Sequence, residues 1–333
     1  MGVDIGIWVP SYAWDVKTEA ELRERLARMR DYVAKCEDLG YDVWVIDHLL
    51  TAPGLYGNSW LEPLSVLNYA AALTENVKLG TGILVLPVRH PVMLAKEIAS
   101  LIHLSGERYI FGVGPGWYPP EFTATGTDIS ERGRRTDEII DAVRLLLSEP
   151  NASFNGEFYQ FEDVSIEPRP LTMPELWVSG GSRVPDPEYH DVADVPTSVM
   201  RRIARSDAWL SRCSGTQEFL LRDWEKITAY MAENHPDREL PRFAHCNFIQ
   251  MTPGMSRQQA LDAQHEHAIR AFGTHRSYEH LQECYLLGEV DHQVGRIKEL
   301  NEHGMDYVVL GPLSDDLDQL DYIHEHIDKE VNG

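Results

Sequence analysis

An Asp-His pair, Asp47-His48, closes the apolar run that begins at Asp42, and three small-residue turns close or interrupt other such runs. These are the Gly82-Ile83 step within Leu79 to Pro91, Gly114-Pro115-Gly116-Trp117, and Ser179-Gly180-Gly181-Ser182. A histidine at the end of a buried strand is placed to move protons near neutrality, with the aspartate beside it placed to orient the ring. Glycines in a turn let a backbone come close to a flat ring or a phosphate, and successive amides form an anion-binding nest. Trp14 and Trp60 are candidates for an aromatic substrate wall, whereas Trp8 and Trp44 lie within strands and read as core.

Other chemistries lose their signatures. The chain has no GxGxxG between a first strand and helix, no GxxxxGK[ST], no HExxH and no GxSxG, the patterns of dinucleotide, P-loop, zincin and α/β-hydrolase sites. A metal site at barrel strand ends needs a His and Asp cluster, and only Asp47-His48 is in position, so no metal is expected. Cys36, Cys213, Cys246 and Cys284 form no CxxC and read as buried thiols.

Composition narrows the partners. Lys and Arg number 30 against 53 Asp and Glu, a formal net charge of -23, and such a field repels nucleic acid and anionic membrane surfaces. No basic region precedes the first apolar residues and no run approaches the ~20 apolar residues of a membrane span, so a cytoplasmic protein is expected.

The elements that must hold these residues alternate between two kinds. Strands are expected at Val3 to Val9, Asp42 to Ile46, Val77 to Val85, Tyr109 to Val113, Leu176 to Ser179, Ala208 to Leu210, Phe243 to Gln250 and Tyr307 to Leu310. Helical periodicity fills most of the intervals, with Thr18 as an N-cap three residues before Glu21 and with Gly40 and Gly304 as stops. Eight strands alternating with helices, at 333 residues and 43% hydrophobic, predict a single-domain (β/α)8 TIM barrel over residues 1–333. Ser153 to Phe161, around Asn155-Gly156, predicts a β-hairpin between the fourth and fifth strands, and Arg183 to Thr197 a long loop. Barrel sites lie at the C-terminal ends of the strands, where the Asp-His pair and all three turns fall. A broad apolar mouth with glycine turns and one imidazole suits a flat redox ring such as isoalloxazine.

The ordered blocks GYDVWVIDH, LGTGILVLPVRHP, LSGERYIFGVGPGW, ERGRRTDEII, FNGEFYQF, EPRP and ELWVSGGS together resemble the bacterial luciferase-like superfamily of flavin and deazaflavin oxidoreductases. The resemblance implies a cis peptide at Gly82-Ile83 supporting the ring, His48 facing ring and substrate with Asp47 orienting it, and Ser179 to Ser182 holding the cofactor phosphate with Arg183 adding charge. It places Gly114, Gly116 and Trp117 in the cofactor wall. Pro115 stands where the luciferases proper carry a phosphate-binding arginine, so the motif leaves FMN and deazaflavin both open.

Three functions follow from that resemblance. The first is an FMN-using monooxygenase that takes reduced flavin from a partner reductase, since no nicotinamide site is evident, and oxygenates a small organic substrate. The second is hydride transfer by the deazaflavin coenzyme F420, and the third a non-catalytic flavin-binding protein. By analogy with relatives, apolar helices after the second and third strands imply a homodimer.

Overall fold

The computed structural model describes residues 2–12, 14, 16–51, 59–182 and 194–333. The strands are β1 Asp4–Trp8, β2 Asp42–Val45, β3 Leu79–Thr81, β4 Leu84–Val85, β5 Tyr109–Gly114, β6 Ala152–Asn155, β7 Gln160–Val164, β8 Glu175–Ser179, β9 Ala208–Ser211, β10 Arg242–Ile249 and β11 Met305–Pro312. The helices are α1 Glu19–Leu39, α2 Pro63–Ala71, α3 Pro91–Ser105, α4 Pro119–Ala124, α5 Arg132–Ser148, α6 Thr197–Ile203, α7 Gln217–Asn234, α8 Arg257–Phe272, α9 Tyr278–Cys284, α10 Val290–Glu302, α11 Asp318–Tyr322 and α12 Lys329–Asn332. All barrel pairings are parallel, in the order β3-β2-β1-β11-β10-β9-β8-β5, and β3 pairs back onto β5. The result is a closed eight-position (β/α)8 barrel in which β3 and β4 share the third position.

Local signals act as their chemistry requires. The Thr18 hydroxyl accepts from the Glu21 amide while the Glu21 carboxylate accepts from the Thr18 amide, a complete capping box. Gly40 ends α1 at φ 73°, left-handed backbone that glycine adopts without steric cost.

The barrel interior is filled by aromatic rings and hollowed by glycines to receive them. Trp44 lies 5.1 Å from Trp177 and 5.9 Å from Tyr307, ring centre to ring centre. A Cβ at Gly80 would stand 2.6 Å from the Trp44 ring and one at Gly6 2.3 Å from its Nε1, so large side chains at those positions are incompatible with this plug. Trp44 Nε1 donates to the Tyr307 hydroxyl at 2.9 Å, which donates to Asp42 Oδ2 at 2.6 Å. Trp8 forms the next layer toward the strand ends, packed on Phe248 at 4.8 Å and facing Gly82 and Gly311. Both tryptophans are buried core, as their strand positions imply.

Four expectations change in detail. The third strand is broken at Gly82-Ile83, whose peptide is cis, rather than running unbroken from Val77 to Val85. The hairpin forms, but its turn spans 156–159, because Glu138 on α5 accepts from the amides of Glu157, Phe158 and Tyr159. That carboxylate cradle holds four residues where Asn155-Gly156 alone suggested two. Two short helices, α4 and α9, occur where the sequence read as loop; in α4 the prolines take the first turn, where a missing N–H costs nothing. Of the expected loop Arg183 to Thr197, residues 183–193 lie outside the described residues, and Thr197 opens α6.

Candidate active site

His48 follows β2 at the barrel mouth and is 9% exposed. Its ring lies 4.9 Å from Trp60 and stands edge-on to Trp117 at 6.1 Å. Trp60 reaches it because Tyr12 and Trp60 form an antiparallel bridge after β1, with their rings 5.8 Å apart. Trp117 is 57% exposed, an uncommon state for a tryptophan and the mark of a surface kept for a ligand.

The partner of the imidazole is a residue that sequence reasoning missed. Glu121, on α4 and 1% exposed, places Oε1 3.1 Å from His48 Nδ1. The same oxygen accepts from the amides of Leu49 at 2.8 Å and Leu50 at 3.3 Å. Burial raises the Glu121 carboxyl, but the hydrogen bond and charge of His48 and the two amides outweigh it and hold it below the ordinary glutamate range. The available signal was the glutamate of Pro-Pro-Glu-Phe, four residues beyond Trp117, at a helix start that two prolines disguised as loop.

Asp47 does not orient the ring as expected. Its Oδ2 accepts from the Val85 amide at 2.8 Å and from Arg89 Nη2 at 3.0 Å, tying β2 to the turn after β4. Alternate residues of an extended segment point to opposite sides, so an aspartate immediately before His48 faces the wall when the histidine faces the mouth. Arg89 also reaches Glu62 Oε1 at 3.2 Å. Burial lifts the Asp47 carboxyl above its ordinary range despite the arginine.

Three glycines at the strand ends are packed too closely on neighbouring side chains to carry a Cβ. A Cβ on Gly82 would lie 2.8 Å from Trp8 Nε1, one on Gly114 2.8 Å from Ile83 Cδ1, and one on Gly116, at φ 69°, 2.5 Å from Val85 Cγ1. Trp8 Nε1 is sealed from solvent and has no hydrogen-bond partner among the described residues.

The turn Ser179 to Ser182 is braced rather than open. Ser182 is fully buried, and Asp223 Oδ2 on α7 accepts from its amide at 2.7 Å and its hydroxyl at 3.0 Å. The Ser182 amide is therefore committed to a carboxylate instead of standing free for a phosphate. Arg212, just past β9, donates to the Ser182 hydroxyl at 3.1 Å. Arg222, next to Asp223 on α7, keeps Nε and Nη2 buried without hydrogen-bond partners among the described residues. Arg183 lies outside the described residues.

Trp14 is not brought to His48: its indole donates to the Pro10 carbonyl at 3.1 Å and packs on the core outside the barrel. Cys36, Cys246 and Cys284 are buried and Cys213 partly exposed. No cluster of three or more metal-ligating side chains occurs among the described residues, and no described helix is long and apolar enough to cross a membrane.

The residues present fit a flat cofactor with an anionic tail. A Cβ at Gly82, Gly114 or Gly116 would collide with Trp8, Ile83 or Val85, so the backbone at these strand ends stays free of side chains. On α7, next to the Asp223 that holds Ser182, Arg222 has two guanidinium nitrogens buried without partners among the described residues, an unfavourable state that an anionic group would relieve.

Residues 3–307 match the profile of the luciferase-like monooxygenases. The FMNH2-dependent dimethylsulfone monooxygenase of Pseudomonas putida is 28% identical over 190 residues, covering 54% of this chain and 52% of that protein. The F420-dependent glucose-6-phosphate dehydrogenase of Kineococcus radiotolerans is 33% identical over 159 residues, 46% and 47% of the two chains. The chain thus spans about half the length of the curated relatives it matches. Monooxygenase RslO1 from Streptomyces bottropensis superposes with a TM-score of 0.78 at 22% identity over 98% of each chain, which shows a common fold. With its barrel, its ordered sequence blocks and a family match over nearly its whole length, the chain belongs to the luciferase-like monooxygenase family.

Proposed function

We propose that this protein is an FMN-using monooxygenase that receives reduced flavin from a separate reductase and oxygenates a small organic substrate. The observation that carries the reading is the buried His48-Glu121 pair at the barrel mouth, set between the rings of Trp60 and the exposed Trp117. Reduced FMN, when bound, supplies two electrons, so that one atom of O2 enters the substrate and the other leaves as water.

The chain's own residues bind, orient and exclude water. Gly82, Ile83, Gly114 and Gly116 form the cradle for the ring, and Trp117 and Trp60 cover it and the substrate. Ser179, Gly180 and Gly181 bring backbone to the tail, while Arg222 and Arg212 supply the charge, because Ser182 is already held by Asp223. His48 holds or moves a proton at the reacting centre. Asp47 acts at one remove, fixing the turn after β4 through Val85 and Arg89.

A second reading, hydride transfer with coenzyme F420, is favoured by the 33% identity to an F420-dependent dehydrogenase. The formal charge of -23 weighs against it, because an acidic protein repels the polyanionic tail of that coenzyme. Anaerobic titration with reduced FMN and with reduced F420, followed by oxygen and a panel of small organic substrates, separates the readings. FMN binding with oxygenated product supports the proposal, F420 binding alone favours the second, and tight binding without turnover leaves a flavin carrier. Binding of neither defeats all three. A cytoplasmic homodimer joined through α2 and α3, where Tyr69, Met93 and Leu104 are exposed, completes the proposal; a monomeric mass by light scattering would remove the dimer.

A further inference from the structure

Three nitrogens converge on one oxygen of Glu121: the donating amides of Leu49 and Leu50, and His48 Nδ1 at 3.1 Å. A carboxylate so surrounded has its proton removed at neutral pH, which agrees with its lowered pKa. An ionised carboxylate only accepts, so the ring nitrogen facing it has to be the donor. Because the same oxygen holds the backbone that follows His48, ring and main chain are fixed as one unit.

The other charged groups near the ring are already engaged. The Asp47 carboxylate is held by the Val85 amide and Arg89, and Arg89 is shared between Asp47 and Glu62. Among the described residues, the other rings against the imidazole are those of Trp60 and Trp117, neither of which is an ionisable group.

We infer that Glu121 is a positioning residue that locks His48 as the Nδ1–H tautomer and leaves Nε2 as the one ring nitrogen able to exchange a proton with a bound group. The tautomer assignment stands on the apoprotein alone; only the use of Nε2 in turnover rests on the proposed function. Free histidine favours the opposite tautomer, so the lock has a signature. A carboxylate behind a working histidine sets which nitrogen acts, and losing such a partner typically costs 10- to 100-fold in activity.

The experiment is nitrogen-15 spectroscopy of histidine-labelled protein without cofactor, with the His48 resonances identified from their loss in His48→Gln. Wild type is expected to show the Nδ1–H form. Glu121→Gln is expected to keep it, because an amide oxygen still accepts from the same three donors, whereas Glu121→Ala is expected to shift toward Nε2–H. With reduced FMN and a turned-over substrate, Glu121→Ala should lose about 10- to 100-fold in kcat with Kd for FMN changed less than about twofold. An Nε2–H signal for His48 in wild type overturns the inference even if Glu121→Ala does not fold. So does an unchanged tautomer in a folded Glu121→Ala. Wild type that carries the Nδ1–H form but binds no flavin overturns the proposed function and leaves the tautomer lock intact.

Discussion

Trp44 and Trp8 sit one layer apart inside the same barrel, and their indole nitrogens meet opposite fates. At the floor, Trp44 Nε1 donates to Tyr307, Tyr307 donates to Asp42, and glycines on β1 and β3 make room for the ring. At the mouth, Trp8 is packed almost as tightly, yet its Nε1 has no partner among the described residues. Arg222 on α7 has two more donors without partners among the described residues. The Trp44 indole ends a closed chain of donors and acceptors, and the Trp8 indole does not. Unsatisfied buried polarity is unfavourable, so a partnerless indole nitrogen toward the strand ends, where barrel sites lie, fits a layer shaped for a ligand. Substitutions at the floor should therefore cost stability, and those at the mouth binding or turnover.

The largest effect should come from the floor. Trp44→Ala empties the space that Gly6 and Gly80 leave for the ring, and truncation of a buried aromatic costs about 3–5 kcal/mol. Urea denaturation should show that loss, with flavin affinity retained in the folded fraction. A loss below about 1 kcal/mol would break the contrast, since it would mean the plug is not what holds the barrel closed.

His48→Ala should do the reverse. Removing a general acid or base lowers turnover about 100-fold or more, and the dissociation constant for reduced FMN should stay within about threefold. Steady-state kinetics beside a binding titration reads both. Equal turnover in the variant would leave the mouth without its proposed proton carrier.

The arginine sharpens the comparison by separating ring from tail. If Arg222 receives the anionic group, Arg222→Ala should weaken FMN by about 10-fold or more, the worth of a charge-assisted hydrogen bond, while riboflavin binding is unchanged. Equal weakening of both ligands would assign Arg222 to folding of α7 instead.

A pH series tests the carboxylate that faces the imidazole. Glu121 is lowered in the folded protein, so it stabilises the fold fully above the unfolded glutamate value of about 4.3, and that contribution disappears as pH falls through the lower folded value. The stability gap between wild type and Glu121→Gln should be widest at neutral pH and close on acidification. A gap that widens below pH ~4 would reverse the sign and remove the argument that this carboxylate is ionised.

Much of this architecture was legible in the residues, and the gaps have physical causes. Strand runs and helix caps identify the barrel because each reports local geometry: Thr18 can cap only one end, and Gly40 can adopt φ 73° where other residues resist it. His48 was found because barrel topology sends strand ends to one face. Glu121 was missed because its role depends on a six-residue helix folding back 73 positions later, which no spacing rule contains. Asp47 was misread for the opposite reason: adjacency in sequence looked like a contact, whereas alternation along an extended chain separates neighbours. Ser182 looked free because the carboxylate that occupies it arrives from α7, 41 positions away.

The smallest effect belongs to Trp8, and it bears most directly on the difference between the layers. Trp8→Phe keeps an aromatic ring against Phe248 and deletes the unpaired donor. At the floor, the same exchange at Trp44 would strand the Tyr307 hydroxyl without its donor and cost stability. At Trp8 there is no partner to strand, so thermal or urea stability should hold within about 1 kcal/mol and can rise, since an unsatisfied buried donor is itself unfavourable. Gly82 lies directly against this nitrogen, so a ring seated there feels the indole dipole, and loss of the dipole should weaken flavin about two- to fivefold, under ~1 kcal/mol. Stability and affinity thus move independently if the mouth is built for a ligand. If Trp8→Phe instead loses stability as Trp44→Phe does and binds flavin unchanged, then the two layers are one continuous core, and the unpaired nitrogen carries no information about what the barrel holds.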